Sequence, residues 1–366
     1  MWIWREQSWP NFTWQSALVN PLLRKVQLNQ GILIGKMATV SDDAKSIELD
    51  TLLANILNSS AIEGEQLNAF SVRSSLANKL GVSEPQPYPT SDRSDGIAAM
   101  MVDAIHDLDS PLTLERIYQW HRWLFTEPES VTNKIRIGTL RGSEPMQVVS
   151  GRIDRPTVHF EAPPREVLDD ELNKFIDWFN ESRNDPLLDP LVRAAICHLW
   201  FVTLHPLDDG NGRITRALTD LALAQGEKQS IRLYAMSVGI LKQRKSYYEI
   251  LEQTQKSSTD ITAFIVWFLD TLNLTILDVL DEMEQTISKT RFWTIHRETK
   301  LAMEHKKVLN RLLDGDFELG INASQYQKVA KVSRATATRH LAFLVESNCL
   351  QKTEAGGRST RYVINK

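Results

Sequence analysis

Apolar positions recur at helical spacing along most of the chain. In residues 46–62, "SIELDTLLANILNSSAI", Leu49, Leu52, Leu53, Ile56 and Leu57 share one helical face. Residues 169–184, "DDELNKFIDWFNESRN", form a second amphipathic stretch. Residues 190–204, "PLVRAAICHLWFVTL", are apolar nearly all round, as suits a helix at the centre of a bundle, and Pro206 stops them. Ile214, Ala217, Leu218 and Leu221 resume the period, so a new helix begins near Gly212. One stretch, residues 146–164, departs from this pattern. Residues 147–149 and 157–160 are β-prone and flank a Gly/Arg/Asp/Pro turn, the signature of a hairpin.

Composition narrows the class. The 366 residues are 42% hydrophobic and 24% charged, ordinary for a globular protein, and the length suits two or three domains. The two cysteines, Cys197 and Cys349, lie far apart with no C-x-x-C pair, which points to a reducing, cytoplasmic setting. The start, "MWIWREQSWPNFTW", has no signal-peptide core, and no stretch reaches the ~18 apolar residues of a membrane span, so no membrane association is expected. Four of the ten Trp fall within residues 2–14, which suggests a segment packed onto the body. The net charge of −4 argues against a surface that coats nucleic acid as a whole. It is unevenly spread, however: residues 326–366 carry +6 and the remainder −10, a basic C-terminal module on an acidic body.

The chemistry concentrates in residues 205–216, "HPLDDGNGRITR". Gly210, Asn211 and Gly212 precede a helix, so their amides point outward at the positive end of its dipole, where phosphates bind. Arg213 and Arg216, three apart on that helix, offer two donor forks to the same anion. Asp209 is a hard oxygen ligand beside the phosphates, suited to Mg²⁺ with several waters. His205, at the end of a buried helix, can act as general base toward a hydroxyl. Singly, each has a structural explanation: a capping histidine, a turn, a solvated arginine face. In this order they describe phosphoryl or nucleotidyl transfer.

The stretch resembles the signature of the Fic (filamentation induced by cAMP) family, H-P-F-x-[D/E]-G-N-G-R-x-x-R, at every polar position, with Leu207 where the family usually has Phe. The resemblance extends through "GTLRGSEPMQVVSG", "VHFEAPP" and "RKSYYEILEQTQ", over most of residues 96–273. It implies AMP transfer from ATP to a Ser, Thr or Tyr hydroxyl of a protein target, with release of pyrophosphate. His205 would then deprotonate the target, and Asp209 would hold Mg²⁺ (or Mn²⁺). Gly210, Asn211, Gly212 and Arg213 would bind the phosphates. The hairpin bearing Gln147, Val148 and Val149 would be a flap that aligns the target as an added strand. Tyr247 and Tyr248 match aromatics near the nucleotide, and core packing explains them equally well.

Glu63 falls at the end of a helix closed by Gly64. Judged locally, Ser60-x-x-Glu63 also reads as a capping box that starts another helix. The family resemblance supports a different role: Ser59-x-x-x-Glu63-Gly64 matches the inhibitory pattern [S/T]-x-x-x-E-[G/N]. It implies that Glu63 pairs with Arg216 and withholds it from the ATP γ-phosphate. In some relatives such a glutamate instead directs water to remove AMP.

Residues 323–366 read as helix, turn, helix and hairpin, with Ser324 starting one helix and Ser333 capping the next. Ala337, Leu341, Leu344 and Val345 would face inward, leaving Arg334, Thr336, Thr338 and Arg339 outside, and Arg358 and Arg361 on a wing toward phosphate. This resembles a winged helix-turn-helix, which serves DNA binding or protein docking.

The expected fold is mainly α: a Fic helical core with a β-hairpin flap, an N-terminal helical inhibitory segment and a C-terminal winged helix-turn-helix domain. The expected divisions are 1–95, 96–273, a linking helix at 274–297, and 298–366. The expected function is an autoinhibited protein adenylyltransferase using ATP and Mg²⁺, with self-modification and a homodimer among its expected associations. The alternatives are a DNA-binding transcriptional regulator with a nucleotide-sensing core, or a de-AMPylase.

Overall fold

Helices dominate because apolar residues return every three to four positions, and each helix has local reasons for where it stops. The computed structural model describes residues 1–37, 44–126, 135–152, 155–227, 233–317, 319–353 and 360–365. They form two units, Met1–Leu277 and Asp278–Lys366. The elements, in order, are α1 (Ser16–Met37), α2 (Ala44–Ile62), α3 (Ala69–Leu80), α4 (Asp92–His106), α5 (Leu114–Leu124), β1 (Gln147–Arg152), β2 (Arg155–Glu161), α6 (Arg165–Glu181), α7 (Pro190–Leu204) and α8 (Asn211–Glu227). After them come α9 (Met236–Lys242), α10 (Arg244–Gln255), α11 (Thr262–Ile295), α12 (Met303–Leu313), α13 (Ala323–Ala330), α14 (Arg334–Glu346), β3 (Leu350–Lys352) and β4 (Tyr362–Ile364).

The first unit is organised around α7. Asp189 caps it by accepting from the Leu191 amide at 2.9 Å, Pro190 occupies its first turn, and every residue from Leu191 to Leu204 is buried. The antiparallel hairpin β1–β2 carries a register shift between Val148 and Val149. The N-terminal segment is pinned to the hairpin and to α6: Trp4 Nε1 donates to the Glu161 carbonyl and Trp9 Nε1 to Glu171 Oε2, each at 2.7 Å.

α2 settles the two readings of Ser60 and Glu63. It ends at Ile62, Gly64 takes φ +83°, and the Glu65 amide reaches back to the Ser60 carbonyl at 3.0 Å. That is a glycine-closed C-terminus. The next helix, α3, takes Asn68 as its cap, so no capping box forms at Ser60.

α11 corrects two expectations. It is a single helix from Thr262 rather than a linker starting at 274, and by length and apolarity it could cross a membrane. Its apolar side is used in packing, with Phe264, Ile265, Phe268, Leu269, Leu272 and Ile276 buried.

In the second unit, Leu309, Ile321, Tyr326, Ala337, Leu341 and Leu344 form a core beneath α12, α13 and α14, with Val345 only partly buried. Asn322, not Ser324, caps α13, while Ser333 caps α14 as expected. β3 pairs antiparallel with β4. Arg334, Thr338 and Arg339 are exposed, but Thr336 is half-buried and its Oγ1 lies 2.9 Å from Ser333 Oγ. Arg361 does not point to a phosphate-binding face: its Nη1 donates to the Gly320 carbonyl at 2.8 Å. Arg358 and the hairpin turn at 153–154 lie outside the described residues.

Candidate functional site

α7 and α8 are joined by a six-residue bend, 205–210, whose shape depends on the side chains around it. His205 closes α7 in the left-handed region, φ 46° and ψ 56°, a conformation a non-glycine residue adopts only when its surroundings hold it there. Arg141 supplies that hold. Its guanidinium Nε donates to the His205 carbonyl at 2.9 Å, and its own amide donates to the Pro206 carbonyl at 3.0 Å. Leu207 is fully buried. Asn211 braces it on both sides, accepting from the Leu207 amide at 2.9 Å and donating to the Leu207 carbonyl at 2.8 Å. The Asn211 side chain therefore shapes the loop, and the first turn of α8 keeps its backbone amides free of intrahelical partners. Gly210 takes φ +79°, and a Cβ there would meet the Phe125 ring at 2.9 Å.

His205 Nδ1 sits 3.2 Å from the Val202 carbonyl, an acceptor only. Nδ1 must therefore carry the proton, which leaves the lone pair on Nε2. Burial holds the imidazole below its ordinary value, with the Val202 carbonyl, Glu63 and Asp209 opposing and Arg141 assisting. A neutral ring with an available lone pair is the form a general base requires. Asp209 is 55% exposed, and its Oδ1 accepts from the Gly210 amide at 2.5 Å.

The two motif arginines meet carboxylates from the turn after α2. Arg216, with a side chain 3% exposed, lies 2.8 Å through Nη2 from Glu63 Oε1. It also donates to Ser59 Oγ and to the Ser59 carbonyl, both at 2.8 Å. A Cβ on Gly212 would lie 2.0 Å from Glu63 Oε1, so the carboxylate rests directly on the helix N-terminus. Burial pushes the Glu63 carboxyl up, but Arg216, then Arg213 and His205, outweigh it and hold the group below the usual carboxylate range. Arg213 pairs with Glu65 at 2.6 Å, and Arg93 also bonds Glu65.

Glu63, His205, Asp209 and residues 210–212 line one cavity of about 800 Å³ with Gln147, Val148, Val149, His159, Tyr247 and Tyr248, and the two motif arginines lie behind its wall. Val148 and Val149 are exposed, and β1 and β2 form a two-stranded sheet, which leaves an outer strand edge beside the cavity. Tyr248 donates to the Ile62 carbonyl at 3.2 Å, at the end of the Glu63 helix. Tyr247 is buried, with its hydroxyl 2.9 Å from His198 Nε2.

Residues 111–223, spanning flap and motif, match the sequence profile of the Fic/DOC family. The chain carries a Fic/DOC family domain. A second match, residues 2–82, is to a domain of unknown function, DUF4172. A protein adenylyltransferase Fic of Nematostella vectensis is 26% identical over 216 residues, which is 58% of this chain and 44% of that protein. A uridine 5'-monophosphate transferase of Xanthomonas campestris is 32% identical over 118 residues, 31% of this chain and 21% of that one. The chain thus spans less than half the length of these curated relatives. Two solved structures share the fold. One is a Fic family protein from Desulfovibrio desulfuricans G20, at TM-score 0.54 and 19% identity, covering 97% of this chain and 98% of that one. The other is a Fic domain containing signaling protein from Bacteroides thetaiotaomicron, at TM-score 0.51 and 19% identity, covering 70% of this chain and 97% of that one.

Reading the Fic motif residue by residue missed three groups that hold it in place. Arg141 supports the His205 bend, Glu65 pairs with Arg213, and His198 lies behind Tyr247. For Glu65 a signal was present, a second carboxylate two positions after Glu63. The other two sit in an apolar run and a loop, where spacing says nothing of their partners.

Proposed function

We propose that the Fic domain transfers AMP from ATP to a Ser, Thr or Tyr hydroxyl of a protein target and that Glu63 restrains it. The observation that carries this reading is the carboxylate of Glu63, an anion seated between Gly212 and Arg216 at the N-terminus of α8. A site that holds a carboxylate there is built to hold a phosphate oxygen, and Arg216 Nη1, buried without a hydrogen-bond partner and 3.1 Å from the Gly212 Cβ position, is a donor for it. The nucleotide phosphates lie along the first turn of α8 with Arg213 beside them. Asp209, an exposed carboxylate at the cradle, would hold Mg²⁺, which would neutralise charge on the phosphates. His205 Nε2 takes the proton of the target hydroxyl, whose oxygen attacks the α-phosphorus as pyrophosphate leaves. The outer edge of the flap holds the target as an added strand. With Glu63 on Arg216, the γ-phosphate loses its cationic partner.

The experiment is incubation of wild type, Glu63→Gly and His205→Ala with Mg²⁺ and α-³²P-labelled ATP or UTP, the second donor because one relative is named a uridine 5'-monophosphate transferase. Strong label on Glu63→Gly, weak on wild type and none on His205→Ala is expected. Equal label on Glu63→Gly and wild type would remove the brake, and no label with either donor would remove transfer. A second reading, a DNA-binding regulator, rests on Arg334, Thr338 and Arg339 exposed on α14. It predicts salt-dependent binding of duplex DNA that is lost in Arg339→Ala.

A further inference from the structure

α7 is apolar nearly all round, yet at its centre it buries a histidine completely. His198 is 0% exposed and both of its ring nitrogens are engaged. Thr219 Oγ1 donates to the Thr215 carbonyl one turn back on α8 at 2.7 Å, so toward His198 Nδ1, 2.9 Å away, it can only accept. Nδ1 therefore carries the proton and Nε2 the lone pair. The Tyr247 hydroxyl, 2.9 Å from Nε2, must donate to it. The phenol proton is thereby committed inward and the lone pairs of the oxygen face elsewhere. Beside that oxygen lies the guanidinium of Arg216.

The chain of donors has one direction: Tyr247 to His198, His198 to Thr219, Thr219 to the backbone of α8. Burial and the nearby Arg216 push the His198 imidazole down to about 3, so the ring stays neutral and the polarity of the chain does not reverse at ordinary pH.

We propose that His198 and Tyr247 are positioning residues that present an oriented phenolic oxygen to Arg216, holding its guanidinium at the cradle when Glu63 has left it. This deepens the nucleotide-transfer reading and rests on it. Tyr247 then serves the nucleotide through Arg216 rather than by stacking on its base. Glu63 belongs to the restraining turn and leaves with it, whereas Ser59 stays on α2 and Tyr247 on α10. With Ser59, the relay keeps Arg216 placed for a terminal phosphate in the released state.

The test measures binding, so it does not depend on turnover. In the Glu63→Gly, His205→Ala background, ATP and AMP are each titrated calorimetrically with Mg²⁺. Tyr247→Phe removes the hydroxyl alone, and His198→Leu removes the group that orients it. Each is expected to weaken ATP about tenfold, the loss of one hydrogen bond to a charged group, with AMP changed less than about twofold. The double variant should be no weaker than the more affected single one, since both cut the same chain. A general distortion of the cavity would weaken ATP and AMP alike, and that result overturns the proposal. So does unchanged ATP affinity in Tyr247→Phe, a near-isosteric change that keeps the packing. A parent that binds neither nucleotide overturns the nucleotide reading and the relay with it, whereas a parent that binds ATP while the variants bind it equally overturns the relay alone.

Discussion

Glu63→Gln separates the charge of the restraint from its shape. In the wild type, Glu63 Oε1 lies 2.8 Å from Arg216 Nη2, with the two side chains 35% and 3% exposed. Breaking a fully buried pair costs roughly 3–5 kcal/mol, and an exposed pair is worth about 0–1 kcal/mol. One partner here is open to water, and glutamine retains a neutral acceptor, so a loss of about 1–1.5 kcal/mol is expected. Arg216 keeps both bonds to Ser59, so its burial is not left uncompensated. That energy favours the closed turn, so removing it shifts the closed-to-open ratio about tenfold. Two readouts should move in opposite directions. Thermal unfolding of the variant without nucleotide should begin about 2–4 °C lower, measured by calorimetry. Initial-rate AMP transfer with α-³²P-ATP should rise about tenfold. The depressed Glu63 carboxyl contributes stability that is present above its ordinary value and lost only as pH falls through the depressed one, so between pH 6 and 8 both differences should be constant. A variant that is less stable and also slower would refute the reasoning, because the carboxylate would then be supporting the cradle rather than blocking it.

Three further outcomes follow from other buried groups. His198 and the fully buried His121 of α5 are pushed down by burial, to about 3 and about 4, and the fold holds both neutral. A histidine with a lowered folded value costs stability as pH drops below the ordinary value, because the unfolded chain takes up the proton first. Each should therefore cost about 2 kcal/mol by pH 5, and urea midpoints at pH 7 and pH 5 check this. His205 is lowered in the same direction, so the acid limb of transfer by Glu63→Gly should fall below the usual histidine value. Glu65→Gln should behave unlike any change at Glu63. The Glu65–Arg213 pair is 17% and 7% exposed, so its loss should cost about 2–3 kcal/mol and slow transfer by leaving Arg213 badly placed. A faster enzyme would instead assign Glu65 to the restraint.

The sequence alone determined a good deal. Periodicity located α7 to the residue, because an apolar run bounded by Asp189-Pro190 and Pro206 has few other ways to fold. It located the hairpin, because β-prone runs around a turn contrast with their helical surroundings. The motif's polar order was legible because phosphate, metal and proton transfer each demand particular groups at close sequence spacing. What lay beyond reach was contact across the chain. Ser60-x-x-Glu63 satisfies two local rules equally, and only the packing of α2 against the rest of the unit decided that Gly64 ends a helix there. Tyr247 could be assigned to the nucleotide or to the core until His198, 49 positions away, was found holding its hydroxyl. Glu65 meets Arg213 across 148 positions, and Arg141 supports the His205 bend across 64. Local spacing fixes which groups share a turn or a helix face. Partners brought together from distant segments are selected by burial, because a charge or donor taken out of water must be matched by whatever the fold places beside it.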